Sequence, residues 1–519
     1  MNLSNDVLIY ILAICILTCI YFSMPHNYRH GVEHGSAKWG KPSILNKKYE
    51  QRPKENNKIL SNDMSIGFDT HRHGRNLNVL VVGGSGSGKT RFYAKPNIMQ
   101  ANSSYVVMDP KGEILRSEGE LLKKKGYDIK VLDLIDMEKS HGYNPFKYLH
   151  SDIDVTKLCT NLFKSTQPKN NSTSDPFWDL AATELLTALV SYLVYEAPEE
   201  EQNFSMVLEM LRAGAEDEDS GLKSALDLLF DDLEMKDPYH QALKHYRDYK
   251  LAKEKTASSI QMTLVARLGK FNLKQMAELT NYDEMELETV GDKKTAIFAI
   301  TPDNDTSINF IVSMLYTQLF QELFYKADRV YNGELPVHVH LVMDEFANVC
   351  LPDDFEKILS VMRSRGISAS IIIQNMAQLK ALFKDQWESI TGNCDTLLYL
   401  GGNEQSTHEY ISKLLGKETI DTNSFGKSNG RNGHYSTNYQ VAGRELMTPD
   451  EVRRLDNRFA LLFIKGERPV KTMKYVINRH PNFNLTLDGK GSGYEHGLVN
   501  NAVMSIKIES IMEEKENEK

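Results

Sequence analysis

A glycine-rich segment that ends in lysine and threonine carries the clearest chemistry in the sequence. It satisfies the pattern G-x-x-x-x-G-K-[ST], the phosphate loop of proteins that bind nucleoside triphosphates. Glycine lets the backbone take φ above zero, so that successive N–H groups can point at phosphate oxygens. Lys89 would reach the β- and γ-phosphates, and the hydroxyl of Thr90 would bind Mg²⁺. The segment therefore predicts a site for a nucleoside triphosphate and Mg²⁺ built from Gly83, Gly84, Ser85, Gly86, Ser87, Gly88, Lys89 and Thr90.

The apolar residues before this loop distinguish it from a glycine-serine linker. The run from Leu77 to Val82 is almost entirely apolar, as expected of a central strand in a parallel sheet. A linker has no reason to follow such a strand or to end in Gly-Lys-Thr. The context favours a strand, a phosphate loop and then a helix whose positive end faces the anion.

Two adjacent carboxylates form the second candidate element of the site. Asp344 and Glu345 end the apolar run that starts at Leu341, which is the form of a Walker B segment. In hydrolytic phosphate-loop proteins Asp344 would bind Mg²⁺ through water, and Glu345 would orient or deprotonate the attacking water. An acidic strand end without function is the alternative, and the upstream phosphate loop makes it less attractive.

Three further residues follow the carboxylates. Gln374 ends the next apolar run and could sense the γ-phosphate and the nucleophile, although amides are also common at strand ends. Arg363 and Arg365 lie near the predicted end of a helix, where arginines usually complement the helix dipole. In a ring of subunits, either could instead reach the γ-phosphate of a neighbouring subunit.

The pattern of apolar residues predicts the elements that must position these groups. Strand-like runs alternate with helical stretches, which indicates a parallel sheet with crossover helices. From about 154 to 281 the apolar residues recur only at helical spacing, so an all-helical domain is predicted to interrupt the sheet. The predicted strands cover residues 77–82, 105–108, 129–132, 295–300, 337–343, 368–373, 396–400 and 459–464.

An uncharged run from Val7 to Met24 predicts a transmembrane helix near the N-terminus. A secretory signal is disfavoured because no basic residue precedes the run, and a buried core helix is disfavoured because the run has no polar face. Basic residues follow the run, including Arg29, Lys38 and Lys41, so the body of the protein is expected in the cytoplasm.

Composition sets broad limits on the function. The 519 residues suffice for two or three domains, and a net charge of -9 gives no general attraction to nucleic acid. The five cysteines are scattered and form no metal-binding pattern, which is consistent with a reducing compartment.

With these residues in place, the chain resembles the coupling ATPases of conjugative type IV secretion systems, in the branch common in Gram-positive mobile elements. The resemblance covers most of the length. It rests on 34–40 (HGSAKWG), the phosphate loop, 108–113 (MDPKGE), 143–146 (YNPF), 175–178 (DPFW), 344–348 (DEFAN) and Gln374.

The resemblance implies an α/β fold: a RecA-like phosphate-loop NTPase domain with an inserted all-α domain and an N-terminal transmembrane helix. The expected bounds are 1–30 for the membrane anchor, 31–153 and 282–508 for the RecA-like domain, 154–281 for the all-α domain, and 509–519 for a charged tail. Many members have two membrane spans, whereas one apolar run is visible here, so either the branch uses one span or the start is truncated.

The resemblance also implies ATP hydrolysis with Mg²⁺ and assembly of a homo-oligomer, a hexamer, around a channel. The expected partners are single-stranded DNA bound to a relaxase, other proteins of the secretion channel, and the cell membrane; some members recruit protein substrates. Spacing from Gln374 makes Arg363 the first choice for the arginine that acts in trans, and Arg365 the second.

Two basic segments are candidate DNA contacts. Lys244, Arg247 and Lys250 alternate with tyrosines, as phosphate neutralisation and base stacking would need. A solvated basic helix face is the plainer interpretation. The segment from Thr422 to Asn438 is rich in Asn, Gly and Ser, carries Lys427 and Arg431, and is predicted to be a surface loop.

Two other functions compete with the coupling ATPase. A septal translocase of double-stranded DNA usually adds a winged-helix domain, for which the residues after Asn482 are too few. A receptor or scaffold gated by nucleotide would use the helical domain to recognise substrate proteins. Intact Asp344, Glu345 and Gln374 argue against an inactive site.

Overall fold

The computed structural model describes residues 5–23, 29, 31–167, 176–214, 223–302, 305, 307–346, 352, 354–427 and 435–497. The chain forms two compact units. We call Gly40–Thr407 with Leu455–Lys519 the sheet unit, and Met1–Trp39 with His408–Arg454 the hairpin unit.

Alternation of short strands and helices runs through most of the chain. The strands are β1 Asn57–Ile59, β2 Ser65–Gly67, β3 Val79–Val82, β4 Ser104–Met108, β5 Asp128–Asp133, β6 Thr295–Ile300, β7 Val339–Met343, β8 Ile367–Ile373, β9 Thr396–Tyr399, β10 Lys417–Lys427, β11 Tyr435–Glu445, β12 Phe459–Ile464 and β13 Val470–Met473. All eight strands predicted from the sequence are present, whereas β13 and the pairs β1–β2 and β10–β11 are not among those eight.

Helices fill the spaces between these strands. They are α1 Asn5–Ser23, α2 Pro42–Tyr49, α3 Thr70–His73, α4 Lys95–Met99, α5 Glu113–Lys124, α6 Asp152–Ser165, α7 Pro176–Glu196, α8 Phe204–Ala213, α9 Ala225–Lys236, α10 Gln241–Lys250, α11 Glu254–Leu268, α12 Lys274–Thr280, α13 Phe310–Tyr325, α14 Phe355–Val361, α15 Met376–Phe383, α16 Trp387–Gly392, α17 Gln405–Leu415 and α18 Pro449–Arg453.

Nine strands of the sheet unit, within the described residues, form one sheet in the order β13-β12-β9-β3-β8-β7-β4-β6-β5. Neighbours from β9 to β5 are parallel, and β12 is antiparallel to both β9 and β13. Strands β3, β4, β6, β7 and β8 are buried along their whole length, because helices cover both faces of such a sheet. The predicted fold class, an α/β phosphate-loop fold with a helical insertion, is confirmed.

The sheet order brings the functional strand ends together. Strand β8 lies between β3 and β7, with Val82 opposite Ile373 and Met343 opposite Ile371. The residues after these strands therefore emerge at one edge of the sheet, where ligands bind in parallel α/β sheets.

The helical stretch from α6 to α12 enters between β5 and β6, which are neighbours in the sheet. Helix α7 packs against α6, α10 and α11, and Tyr246 of α10 stacks on Phe230 of α9 with ring centroids 3.8 Å apart. These helices belong to the same compact unit as the sheet. The predicted domain bounds 154–281 therefore stay a prediction.

The hairpin unit corrects the prediction of a loop from Thr422 to Asn438 at the residues that the structure describes there, 422–427 and 435–438, which are strands. Strands β10 and β11 pair antiparallel from Lys417 opposite Glu445 to Lys427 opposite Tyr435. Thr419 Oγ1 accepts hydrogen bonds from the backbone N–H of His34 at 3.0 Å and of Gly35 at 3.2 Å. Cross-strand pairing therefore overrides the weak strand propensity of this Asn- and Gly-rich sequence.

Two apolar helices bear on the membrane prediction. Side chains of α1 from Ile9 to Tyr21 are exposed in the folded chain. Among the described residues, the helix that is long and apolar enough to cross a membrane is α7, and half of its apolar window is buried in the protein. Helix α7 is explained by packing, so the membrane prediction depends on α1. The charged tail from 509 to 519 lies outside the described residues.

Candidate functional site

Backbone hydrogen bonds to the neighbouring strand β8 and to the segment after β9 fix the conformation of the loop that follows β3. The N–H of Gly83 donates to Ile373 O at 3.1 Å, and the N–H of Gly84 donates to Gly401 O at 2.8 Å. Gly86 and Gly88 have φ of 74° and 84°, backbone angles that residues with a side chain rarely adopt. Among the described residues, the N–H groups of Gly86 and Gly88 have no hydrogen-bond partner. The loop is therefore fixed at its base and presents free N–H donors.

Two polar side chains of the loop, those of Ser87 and Lys89, are buried, yet their hydrogen-bonding groups are poorly satisfied within the described residues. Ser87 Oγ has no hydrogen-bond partner within the described residues. Lys89 is 9% exposed, and its Nζ donates to Gly84 O at a long 3.4 Å. Burial lowers the pKa of Lys89, and the carboxylates of Asp344 and Glu345 oppose that shift. A phosphate would satisfy these donors, so the loop fits the anion predicted from the sequence.

Asp344 closes the site from the end of β7. Thr90 Oγ1 donates to Asp344 Oδ2 at 2.6 Å, and the N–H of Glu345 donates to Asp344 Oδ1 at 3.1 Å. Asp344 is 5% exposed, and burial raises its pKa. A hydroxyl and a carboxylate in contact are hard oxygen ligands suited to Mg²⁺.

Glu345 has a strained backbone. Its φ is +52°, which is uncommon for a residue with a side chain. Such strain costs about 1–3 kcal/mol and is concentrated at functional sites. Glu345 lies in the wall of a cavity of about 120 Å³ together with Lys89, Thr90 and Asp344.

The opposite wall of the cavity follows β4 and was recognised from the sequence only as part of the resemblance. It contains Asp109, Lys111 and Glu113. Asp109 accepts hydrogen bonds from the N–H groups of Ile114 at 3.0 Å and Leu115 at 2.7 Å, which fixes the start of α5. Burial raises the pKa of Asp109 to about 7. The signal in the sequence was a strand followed at once by two carboxylates and a lysine.

Gln374 lies where the sequence predicted it. It follows β8, the strand between β3 and β7, and its N–H donates to Gln378 Oε1 at 2.9 Å. Gln374 is thus one residue beyond the pair formed by Val82 and Ile373, next to the base of the phosphate loop.

The two candidate arginines differ in their contacts. Arg365 donates to both carboxylate oxygens of Asp328, at 2.8 and 2.7 Å, and its guanidinium lies over the ring of Phe324. Arg363 is exposed, and its Nη2 donates to Thr70 O at 3.1 Å. Neither residue lines the cavity around Asp344. A bidentate ion pair is costly to break, so Arg363 is the freer of the two.

Helix α10 does not present the alternation of cations and aromatic rings that base stacking needs. Tyr246 and Tyr249 are 6% and 3% exposed, so they are core residues. Arg247 pairs with Glu234 at 2.6 Å and Lys250 with Asp227 at 2.9 Å, while Lys244 Nζ donates to Gln241 Oε1 at 3.0 Å. The stacking part of the hypothesis is wrong because the helix turns its tyrosines inward. Contact of the three cations with phosphates stays a prediction.

The second candidate DNA segment is only partly described. Lys427 ends β10, but its side chain and the whole of Arg431 lie outside the described residues. Their contact with DNA stays a prediction.

These features define a class of protein, a RecA-like phosphate-loop NTPase with a helical insertion. The chain matches the family described as Type IV secretory system Conjugative DNA transfer over residues 38–490, and it belongs to that family. Membership confirms the resemblance to conjugative coupling proteins, while the Gram-positive branch stays a prediction.

Individual relatives are distant in sequence. "Conjugal transfer protein TraG" of Rhizobium radiobacter is 21% identical over 79% of this chain and 63% of its own length. "Protein VirD4" of Rhizobium radiobacter is 22% identical over 78% of this chain and 57% of its own length. The chain thus spans less than two thirds of these relatives.

A solved structure has the same fold. "Plasmid coupling protein TrwB in complex with ADP and Mg2+" aligns with a TM-score of 0.60 and 15% identity, over 86% of this chain and 96% of that one.

Proposed function

We propose that this protein is a membrane-anchored coupling ATPase, which uses ATP hydrolysis to recruit and move relaxase-linked single-stranded DNA, protein substrate, or both to a type IV secretion channel during conjugation. The observation that carries the proposal is the hydrogen bond from Thr90 to Asp344, in a chain of the conjugative DNA transfer family. It joins the phosphate loop to the acidic strand end in one buried site.

The residues of the site fit ATP and Mg²⁺. The N–H groups of Gly86 and Gly88 and the hydroxyl of Ser87, which have no partner among the described residues, would hold the phosphates together with the ammonium of Lys89. Thr90 and Asp344 would hold Mg²⁺ through their oxygens. When bound, Mg²⁺-ATP supplies the phosphoanhydride whose hydrolysis provides the free energy for transport.

Glu345 and Gln374 would act on the attacking water. Glu345 lines the cavity with Lys89, Thr90 and Asp344, where a carboxylate can orient water and accept its proton. Gln374, beside the base of the loop, would orient the same water and contact the γ-phosphate.

Arg363 would complete the site of a neighbouring subunit. Its guanidinium is exposed and held by one hydrogen bond to Thr70 O, whereas Arg365 is bound to Asp328 and Phe324. Arg365 therefore stabilises the position of the segment, and Arg363 reaches the γ-phosphate in trans. This arrangement requires a homo-oligomer, for which we propose a hexamer around the substrate path.

Helix α1 would anchor the protein in the cell membrane. Its exposed apolar side chains from Ile9 to Tyr21 and the basic residues that follow support an anchor with a cytoplasmic body. The anchor would keep the ATPase beside the other proteins of the secretion channel. DNA and its relaxase would approach from the cytoplasm, and Lys244, Arg247, Lys250, Lys427 and Arg431 remain the candidate DNA contacts.

The rate of ATP hydrolysis tests the proposal directly. It is measured on the full chain with and without single-stranded DNA, over a range of protein concentrations, with a Lys89→Ala variant as the control. We expect a rate that rises with DNA and, per subunit, with protein concentration, and no rate for the variant. A chain that binds relaxase but hydrolyses no ATP under any condition would be a receptor instead.

A further inference from the structure

A buried lysine outside the recognised motifs touches the phosphate loop from the C-terminal part of the sheet unit. Lys474 follows β13 and is 5% exposed. Its Nζ donates to the backbone oxygen of Ser87 at 2.9 Å and to Asn457 Oδ1 at 2.7 Å. Its own N–H donates to Arg458 O at 2.9 Å. Lys474 is therefore held by hydrogen bonds both at its backbone N–H and at its ammonium, and one acceptor of the ammonium belongs to the phosphate loop.

The bond to Ser87 O determines the direction of the next N–H group. In a planar trans peptide the carbonyl and the following N–H point in opposite directions. Because Lys474 holds the carbonyl of Ser87 on its own side, the N–H of Gly88 must point away from Lys474. That N–H has no hydrogen-bond partner among the described residues. The ammonium thus favours the peptide orientation that leaves the N–H of Gly88 free for an anion.

Packing around Gly88 supports the same orientation. The φ of Gly88 is +84°, and a Cβ at this position would lie 2.3 Å from the ring of Phe92. The ammonium of Lys474 lies over that ring, 5.4 Å from its centroid. Lys474 therefore contacts both the peptide before Gly88 and the ring packed against Gly88. A cation held over an aromatic face is stabilised by the ring.

We propose that Lys474 is a positioning residue of the nucleotide site: it holds the Ser87–Gly88 peptide so that the N–H of Gly88 faces the phosphates of the nucleotide. The inference rests on the proposed function, because it assigns the loop a phosphate ligand. Lys474 touches no phosphate in this role. Burial lowers its pKa to about 8, so the ammonium form persists at neutral pH.

The test is the dissociation constant of ADP for the full chain, measured with a fluorescent ADP analogue. Lys474→Met removes the donor and should weaken ADP binding about tenfold, because a charge-assisted hydrogen bond and one phosphate contact are lost. Lys474→Arg can still donate to Ser87 O and should recover most of the affinity. Lys471→Met changes an exposed lysine of β13, and this variant should bind ADP as the wild type does.

Asn457→Ala provides a second variant at an exposed position, which keeps Lys474 but removes its other acceptor. We expect a smaller loss of ADP affinity, and this variant decides the matter if Lys474→Met does not fold. The inference would be overturned if Lys474→Met bound ADP with wild-type affinity, or if Lys474→Arg and Lys474→Met lost affinity equally. It would also be overturned if Lys474→Met did not fold and Asn457→Ala bound ADP with unchanged affinity. A wild-type chain that binds no ADP would instead overturn the proposed function.

Discussion

Thr90 and Asp344 are separated by 254 positions in the sequence, yet the hydroxyl of Thr90 donates a hydrogen bond of 2.6 Å to Asp344 Oδ2. The two residues meet because the phosphate loop follows β3 and Asp344 follows β7, and the C-terminal ends of both strands lie at the same edge of the sheet. It brings the phosphate loop to the acidic end of β7 and leaves Glu345 in the wall of the same cavity.

Glu345→Gln should separate nucleotide binding from hydrolysis. The amide keeps the size of the side chain but cannot accept a proton, so kcat for ATP should fall by about 10²–10⁴-fold. The affinity for ADP should change little, because the loop and Asp344 are intact. Steady-state hydrolysis and ADP titration measure the two effects. The matched control is Glu388→Gln, which changes an exposed acid on α16 outside the cavity and should retain full kcat. Equal losses of kcat in both variants would contradict the role of Glu345 as the proton acceptor.

Arg363→Ala should lower kcat about 10³-fold or more and remove the rise of specific activity with protein concentration. Mixing this variant with Lys89→Ala should restore part of the activity, since a mixed ring contains sites with both an intact loop and an intact arginine. Arg365→Ala should mainly lower the thermal midpoint, because it removes the ion pair with Asp328. Absence of any recovery in the mixture would argue against an arginine supplied in trans.

Lys58 should give the stability of the sheet unit a distinctive pH dependence. It is 1% exposed, donates to Leu77 O at 2.7 Å, and burial lowers its pKa to about 7 from 10.5. Between those values the unfolded chain binds more protons than the folded chain, so stability rises with pH across this window, by at most about 1.4 kcal/mol per pH unit.

In the folded state the neighbours of Lys58 do not titrate in that window, and their titration in the unfolded chain is common to the wild type and a Lys58 variant. Burial lowers the pKa of His338 to about 3 and that of His340 well below its usual value, and it raises the pKa of Cys394 to about 12. Lys58→Met should therefore remove the contribution. The measurement is denaturant unfolding of both proteins from pH 7 to pH 10; parallel curves would show that Lys58 titrates normally.

Sequence patterns were sufficient for the motif residues and most of the strands. Gly83 to Thr90, Asp344 and Glu345 are recognisable because glycines, charges and apolar runs occur at fixed local spacing. The buried parallel strands are recognisable because short continuous apolar runs, such as that of β8, are typical of strands covered by helices on both faces. The predicted positions of these elements therefore agree with the structure.

Features that depend on long-range packing could not be predicted. Nothing local separates Tyr246, a core residue stacked on Phe230, from a tyrosine exposed to bases. The hairpin of β10 and β11 is stabilised by pairing over a sequence of weak propensity, and Lys474 meets Ser87 across 387 positions. In each case the contact is set by packing or pairing that the residue types alone do not specify, so the sequence does not show whether the side chain is buried or exposed.

The most direct test of the central claim is the frequency of conjugative transfer from donor cells in which the full chain carries Lys89→Ala. Lys89 is the loop residue whose charge the phosphates need, and its loss should leave the fold intact. We predict that transfer falls to the frequency seen in cells without the protein, although the variant is present at the normal level in the membrane. Transfer at the wild-type frequency would contradict the claim that ATP use at this site powers DNA transfer.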